Sequence, residues 1–193
     1  AAINASALST EAKRYDEALG YLNAARTQHP ESGALWLNTA VASAESGNEK
    51  EARHAFEEAV KRSATDPMVH FTHAHWLREW KDREKAIDSL KKAEAAAKDD
   101  VGLLAGIGDE YRSLGAFPEC VSTFDKAVAK KDVAELRTER ALCKLGAKDD
   151  KGAFDDLQAA TVKEPRYAPA QFYLGGRFAA MGKWKETIAA YET

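Results

Sequence analysis

The chain has 193 residues, 45% hydrophobic and 31% charged, with twelve Gly, five Pro, two Cys and a formal net charge of −3. These proportions exclude a collagen-like or Pro-rich chain, a disulfide scaffold and wholesale disorder, and an excess of Ala, Glu and Lys over Val, Ile and Thr argues for helices against a β-sandwich. The 28 basic residues against 31 acidic ones leave no cationic surplus of the kind a nucleic-acid surface needs. The longest stretch without Asp, Glu, Lys or Arg, 32–44, falls well short of the roughly 18 apolar residues of a membrane-spanning helix.

A fixed period organises the chain. Ala18, Ala52, Ala86, Cys120, Ala153 and Thr187 are spaced by 34, 34, 34, 33 and 34 residues. Four residues after each stands a large apolar side chain: Leu22, Phe56, Leu90, Phe124, Leu157 and Tyr191. Seven after the first five comes Ala25, Ala59, Ala93, Ala127 and Ala160. Spacings of four and seven share one helix face, so each unit contains a helix with a small–large–small stripe, and a second helix precedes it.

Six units follow in order, at about 1–32, 33–66, 67–100, 101–133, 134–167 and 168–193. In the first, Tyr15 opens the stripe helix and Pro30 closes it. The second turns at Gly47-Asn48-Glu49. The third carries His70, His73 and His75, and Lys81 stands where the second unit has its turn glycine. The fourth shows its upstream helix best, with Ile107-Gly108, Tyr111, a stop at Gly115 and a new helix from Phe117. The fifth has two registers: a strict count puts Arg140 and Lys144 on the packing face, whereas a shift of one or two residues buries Leu142 and Leu145 and stops the helix at Gly146. The sixth repeats the fourth in Leu174-Gly175, Phe178, Gly182 and Trp184, and Pro165 precedes it. Short turns force each helix pair antiparallel. Lys13, Lys81 and Lys148 replace glycine in units one, three and five, which predicts a different cap or geometry there.

These residues resemble the tetratricopeptide repeat, a 34-residue helix–turn–helix family with the pattern W-x2-L-G-x2-Y…A-x3-F…P, and the resemblance covers essentially the whole chain. Trp36 falls on the family's tryptophan position. The resemblance implies a single all-α array, a right-handed solenoid whose first helices line a concave groove. The groove positions are Leu37, Asn38 and Val41 in unit two, and Met68, Phe71, Thr72, His75 and, at the rim, Arg78 in unit three. Unit four supplies Gly102, Ala105, Gly106, Asp109 and Arg112, and unit six Phe172, Tyr173 and Gly176. Apolar anchors with a few charges suit a peptide or helix of a partner protein. The function implied is a non-catalytic protein-binding scaffold, with self-assembly or an adaptor role in a secretion, pilus or enzyme assembly as alternatives. The clamp by which relatives hold acidic chaperone tails needs Lys, Asn and Arg on three successive units, and only Asn38 matches it.

The remaining chemistry reads as structural. The three histidines lack a Cys or carboxylate to complete a metal set. Cys120 and Cys143 lack C-x-x-C spacing and are expected as two free thiols. The doublets Asp99-Asp100, Asp149-Asp150 and Asp155-Asp156 are expected at helix starts, turns or solvated faces. No nucleophile–base pair, cofactor motif or catalytic set is present. Ala1–Thr10 lacks a basic leader and an initiator Met, and the last stripe, Thr187 and Tyr191, lies in a helix expected to run through Thr193, so the sequence reads as part of a longer protein. The compartment is left open by the sequence, with the cytoplasm slightly favoured over the periplasm.

Overall fold

The computed structural model describes residues 1–192; Thr193, with the expectation of a helix running through it, lies outside the described residues. Among the described residues are twelve α-helices: α1 (Ala2–Glu11), α2 (Tyr15–Gln28), α3 (Gly33–Glu45), α4 (Glu49–Arg62), α5 (Pro67–Glu79), α6 (Arg83–Ala97), α7 (Val101–Ser113), α8 (Phe117–Lys130), α9 (Ala134–Gly146), α10 (Asp150–Lys163), α11 (Ala168–Ala180) and α12 (Trp184–Tyr191). The chain divides into two compact units, residues 1–96 and 97–193. In the first, α1 packs on α2, α2 on α3, α3 on α4 and α4 on α5; in the second, α7 to α12 pack successively in the same way.

Sequence chemistry accounts for the helix starts. Ser32, Asn48, Asp66, Asp100 and Asp149 each accept a hydrogen bond from a backbone N–H in the first turn of the helix they precede, satisfying a donor that the helix itself leaves open. Asp100 and Asp149 thus act as expected for helix starts.

The turns correct one expectation. Lys13, Lys81 and Lys148 have φ of 57°, 61° and 63°, beside 82°, 66° and 71° at Gly47, Gly115 and Gly182, so all six hairpins use one left-handed turn. The residue after each donates its N–H to the carbonyl five positions back, at 2.7–2.9 Å: Arg14 to Ser9, Asn48 to Ser43, Asp82 to Leu77, Ala116 to Tyr111, Asp149 to Lys144 and Lys183 to Phe178. This six-to-one closure captures an otherwise open helix-end carbonyl. It is made alike with glycine or lysine, although the left-handed region costs a non-glycine residue about 1–2 kcal/mol.

The stripe forms the cores. Ala18, Ala52, Ala86, Cys120 and Ala153, with Leu22, Phe56, Leu90, Phe124 and Leu157, are fully buried. Each such large side chain contributes about 1.5–3 kcal/mol by leaving water. Thr187 is buried too, but Tyr191 is 52% exposed, so the last unit keeps the pattern without the full burial. The small residue of the preceding helix makes the large one fit: a Cβ on Gly108 would lie 2.4 Å from the Phe124 ring, and one on Gly175 would lie 2.6 Å from that of Tyr191.

In the fifth repeat the strict count holds. Leu136, Thr138, Ala141 and Cys143 of α9 are buried, and Gly146 continues the helix, its missing Cβ leaving room for the Phe117 ring 2.1 Å from where that atom would sit. Arg137, Arg140 and Lys144 therefore occupy the face that elsewhere carries large apolar groups. They are accommodated by Asp156 of α10, which is 3% exposed rather than solvated as expected. Arg140 donates through Nε (2.8 Å) and Nη2, Lys144 through Nζ (2.7 Å) and Arg137 through Nη1 (3.4 Å) to that one carboxylate. Asp125 takes a further bond from Arg140, and Asp132 pairs with Arg137 and Lys163. Burial pushes the Asp156 carboxyl up, but the hydrogen bonds from Arg140 and Lys144 outweigh it and hold it below the ordinary value.

The two cysteines are not free thiols. Cys120 of α8 and Cys143 of α9 form a disulfide, with their Cα atoms 5.7 Å apart and both side chains fully buried. They meet because the buried stripe of α8 faces the next repeat's first helix, so 23 residues of chain return Cys143 to the same core.

Candidate functional site

The stripe of each second helix is committed to packing, and the anticipated groove positions lie on the first helices. In the first unit, α3 and α5 carry the anticipated positions. Leu37 and Val41 are half-buried and pack with Trp76 and Trp80 around Phe56, while the Asn38 side chain donates to the Ala34 carbonyl of its own helix at 2.8 Å. Met68 is 48% exposed, and Phe71, Thr72 and His75 are half-buried beside it on α5. The Arg78 guanidinium pairs with Glu79 at 2.9 Å and lies 3.3 Å from Nδ1 of His75. This face is apolar with one pinned cation.

The three histidines of α5 point into three environments. His70 is buried and its Nε2 lies 2.8 Å from the Ala64 carbonyl. The His73 ring stacks on Phe56 at 4.9 Å, and His75 meets Trp76 edge-on at 5.8 Å. Burial, joined by repulsion from His70, Arg53 and Lys92 and opposed by Asp82, pushes His73 down to about 4, so its imidazole is neutral at neutral pH. No group of three metal-ligating side chains occurs among the described residues. The Trp36 side chain ties α3 to the preceding hairpin, donating Nε1–H to the Pro30 carbonyl at 2.9 Å beneath the Arg26 guanidinium of α2, 3.9 Å from its ring centre.

In the second unit the first helices α7, α9 and α11 pack side by side. Gly102, Ala105 and Gly106 give α7 a floor of small residues. Asp109 bonds Arg112 at 2.7 Å, and Arg112 reaches Glu139 of α9 at 3.1 Å. Phe172 is 62% exposed and meets the half-buried Tyr173 edge-on at 5.4 Å, with Gly176 following on the same helix. The structure thus brings Asp109 and Arg112 into one polar cluster and Phe172 and Tyr173 into one aromatic pair. Residues of α9 were missing from the anticipated set. Glu135 and Glu139 join the face at the second and sixth positions of the fifth repeat, where the strict count back from Ala153 places them. Burial raises the Glu139 carboxyl, and nearby Asp109 and Glu135 raise it further against the pull of Arg112.

No helix among the described residues is long and apolar enough to cross a membrane. Residues 9–73 match the family model of the tetratricopeptide repeat. No curated protein sequence matches the chain. In fold the chain is similar to Pseudomonas aeruginosa PilF, with a TM-score of 0.68 at 14% identity over 98% of this chain and 86% of that one. It is similar to PilW, described as a widely conserved type IV pilus biogenesis factor, with 0.68 at 13% over 98% and 88%. A third likeness is to YrrB, described as a TPR protein with an unusual peptide-binding site, with 0.64 at 16% over 88% of both chains. Six hairpins with one shared turn and one recurring stripe, the match of residues 9–73 to the tetratricopeptide-repeat model and this likeness of fold give the same answer: the chain has the all-α fold of helical hairpins seen in tetratricopeptide-repeat proteins.

Proposed function

We propose that the chain is a non-catalytic scaffold that holds a peptide or helix of a partner protein on its first-helix faces. The tetratricopeptide fold is that of a protein-interaction scaffold, and the structural relative YrrB is described as peptide-binding. The observation that carries the reading is the exposure of Met68 (48%) and Phe172 (62%) on helices whose opposite sides are fully buried. Large apolar groups standing in water beside fixed charges are the composition of binding hot spots. The test is selection of a displayed random-peptide library on the 193-residue chain, followed by affinity measurement with M68A/F71A and F172A/Y173A variants. A selected peptide that loses about tenfold or more in affinity on one of these variants supports the reading. Affinity unchanged in both refutes it.

A second reading rests on the last hairpin, where Trp184, Ile188 and Tyr191 are 66%, 56% and 52% exposed. These side chains form an apolar edge that another copy of the chain could cover. Light scattering across a concentration series decides this reading: a mass rising from one chain to two, and abolished by W184E/I188E, favours self-association, and a constant single-chain mass excludes it.

A further inference from the structure

We infer that the first-helix face of the second unit takes a partner segment bearing a Lys or Arg side chain next to an apolar one. The inference rests on the binding role proposed above and specifies the chemistry of the occupant. Three carboxylates, Asp109, Glu135 and Glu139, stand on this face against a single guanidinium. Arg112 is already held by Asp109 at 2.7 Å and by Glu139 at 3.1 Å, so one cation is shared between two anions and Glu135 is left exposed. The other cations of α9, Arg137, Arg140 and Lys144, are turned to the opposite side and engaged by Asp156 and its neighbours. The face therefore carries an uncompensated negative charge that the unit's own side chains do not neutralise.

The surroundings strengthen that field and add an apolar contact. Glu139 is partly removed from water, with its side chain 27% exposed, and a half-buried carboxylate attracts a cation more strongly than a solvated one does. Burial is the main cause of the raised Glu139 carboxyl, and Asp109 and Glu135 add to it against the pull of Arg112. Tyr173 of α11 interacts electrostatically with Arg112 of the acidic cluster, and Phe172 meets it edge-on with 5.4 Å between ring centres, an aromatic pair suited to the stem of a Lys or the plane of an Arg as well as to an apolar neighbour. Gly102, Ala105 and Gly106 leave the floor low enough for a backbone to lie against α7. This polarity is opposite to that of a clamp for acidic tails, whose cations are missing from the sequence.

The experiment is the peptide-library selection run in parallel on the wild-type chain and on E135Q/E139Q, which keeps the shape of both side chains and removes their charge. Matching circular-dichroism melts establish that the variant is folded, and E135Q alone, at an exposed position, serves if the double variant melts early. The expected result is enrichment of peptides with Lys or Arg beside an apolar residue. Their affinity falls about tenfold on the neutralised face and falls with added salt on the wild type. Selected peptides without a basic preference, or basic peptides that bind the neutralised face equally well, overturn the inference while leaving the binding role standing if F172A/Y173A still abolishes affinity. No enrichment on the wild-type chain overturns both.

Discussion

Removing the charge of Asp156 while keeping its shape, as Asp156→Asn, is expected to destabilise the protein by about 3 kcal/mol at neutral pH. Three cations converge on this carboxylate, with side-chain exposures of 14% for Arg140, 18% for Lys144 and 22% for Arg137 against 4% for Asp156 itself. Breaking a buried ion pair by removing one partner typically costs about 3–5 kcal/mol, because the remaining charge is left without compensation. The lower end applies here, since Arg140 keeps Asp125 and Arg137 keeps Asp132. The sign of the pH dependence follows from the lowered Asp156 pKa. The stabilisation is present above the unfolded carboxylate value of about 3.9 and is lost as pH falls through the lower folded value. Urea unfolding followed by circular dichroism at neutral pH and at a series of acidic pH values measures both effects. The difference between wild type and D156N should be full at neutral pH and shrink on acidification below about 4. A companion variant, R140L/K144Y/D156A, replaces the ions with side chains of the family's apolar type and should cost much less than D156N, since well-packed apolar groups often match or exceed a buried ion pair. A D156N stability within about 0.5 kcal/mol of wild type at neutral pH would refute this account of the network.

Three further outcomes are expected. Because His73 titrates near 4 when folded and about 6.5 when unfolded, the unfolded chain binds more protons between those values. Stability should therefore drop on acidification through that window, and His73→Phe, which preserves stacking on Phe56, should remove that part of the drop; equal losses in both proteins count against it. Closing a 23-residue separation with the Cys120–Cys143 disulfide corresponds to about 3 kcal/mol in the chain-entropy description. C120A/C143A should lower the urea midpoint accordingly, and an intact mass of the wild type that does not change on reduction would show that the bond does not form. Finally, Lys81→Gly should raise stability by up to about 1 kcal/mol by relieving the left-handed backbone at φ 61°, whereas a lower melting temperature would show that the lysine side chain contributes more than its backbone costs.

The hairpins and their stripes were legible because they depend on local spacing. A small residue followed four positions later by a large one recurs every 34 residues or so, and within each compact unit a repeat packs on its sequence neighbours, so burial of Ala52, Phe56 and Ala59 follows from their spacing. The candidate face was anticipated from the groove positions of the resembled family, polar ones such as Asp109 and Arg112 included, wherever the repeat register was fixed. Glu135 and Glu139 were hidden by the two open registers of α9, since a charged packing face contradicts the hydrophobic period used to set the register. Local pattern also assigned glycine-like turns to glycine only, although one closing hydrogen bond stabilises the same left-handed geometry at Lys13, Lys81 and Lys148.

The 193 residues by themselves thus determined the composition class, the helical hairpin, its period and the positions of the core stripe, because these follow from helix geometry and near-neighbour burial. The tertiary structure decided which charges are buried and with what partners. Arg140 and Lys144 count as misplaced polar residues until Asp156, 16 and 12 positions away, is brought against them. Cys120 and Cys143 count as separate thiols until two successive repeats share a core. Electrostatic and covalent pairing depends on distance in space, which local periodicity does not encode. The Ala-rich composition carried the architecture, and long-range contacts determined the chemistry of its surface.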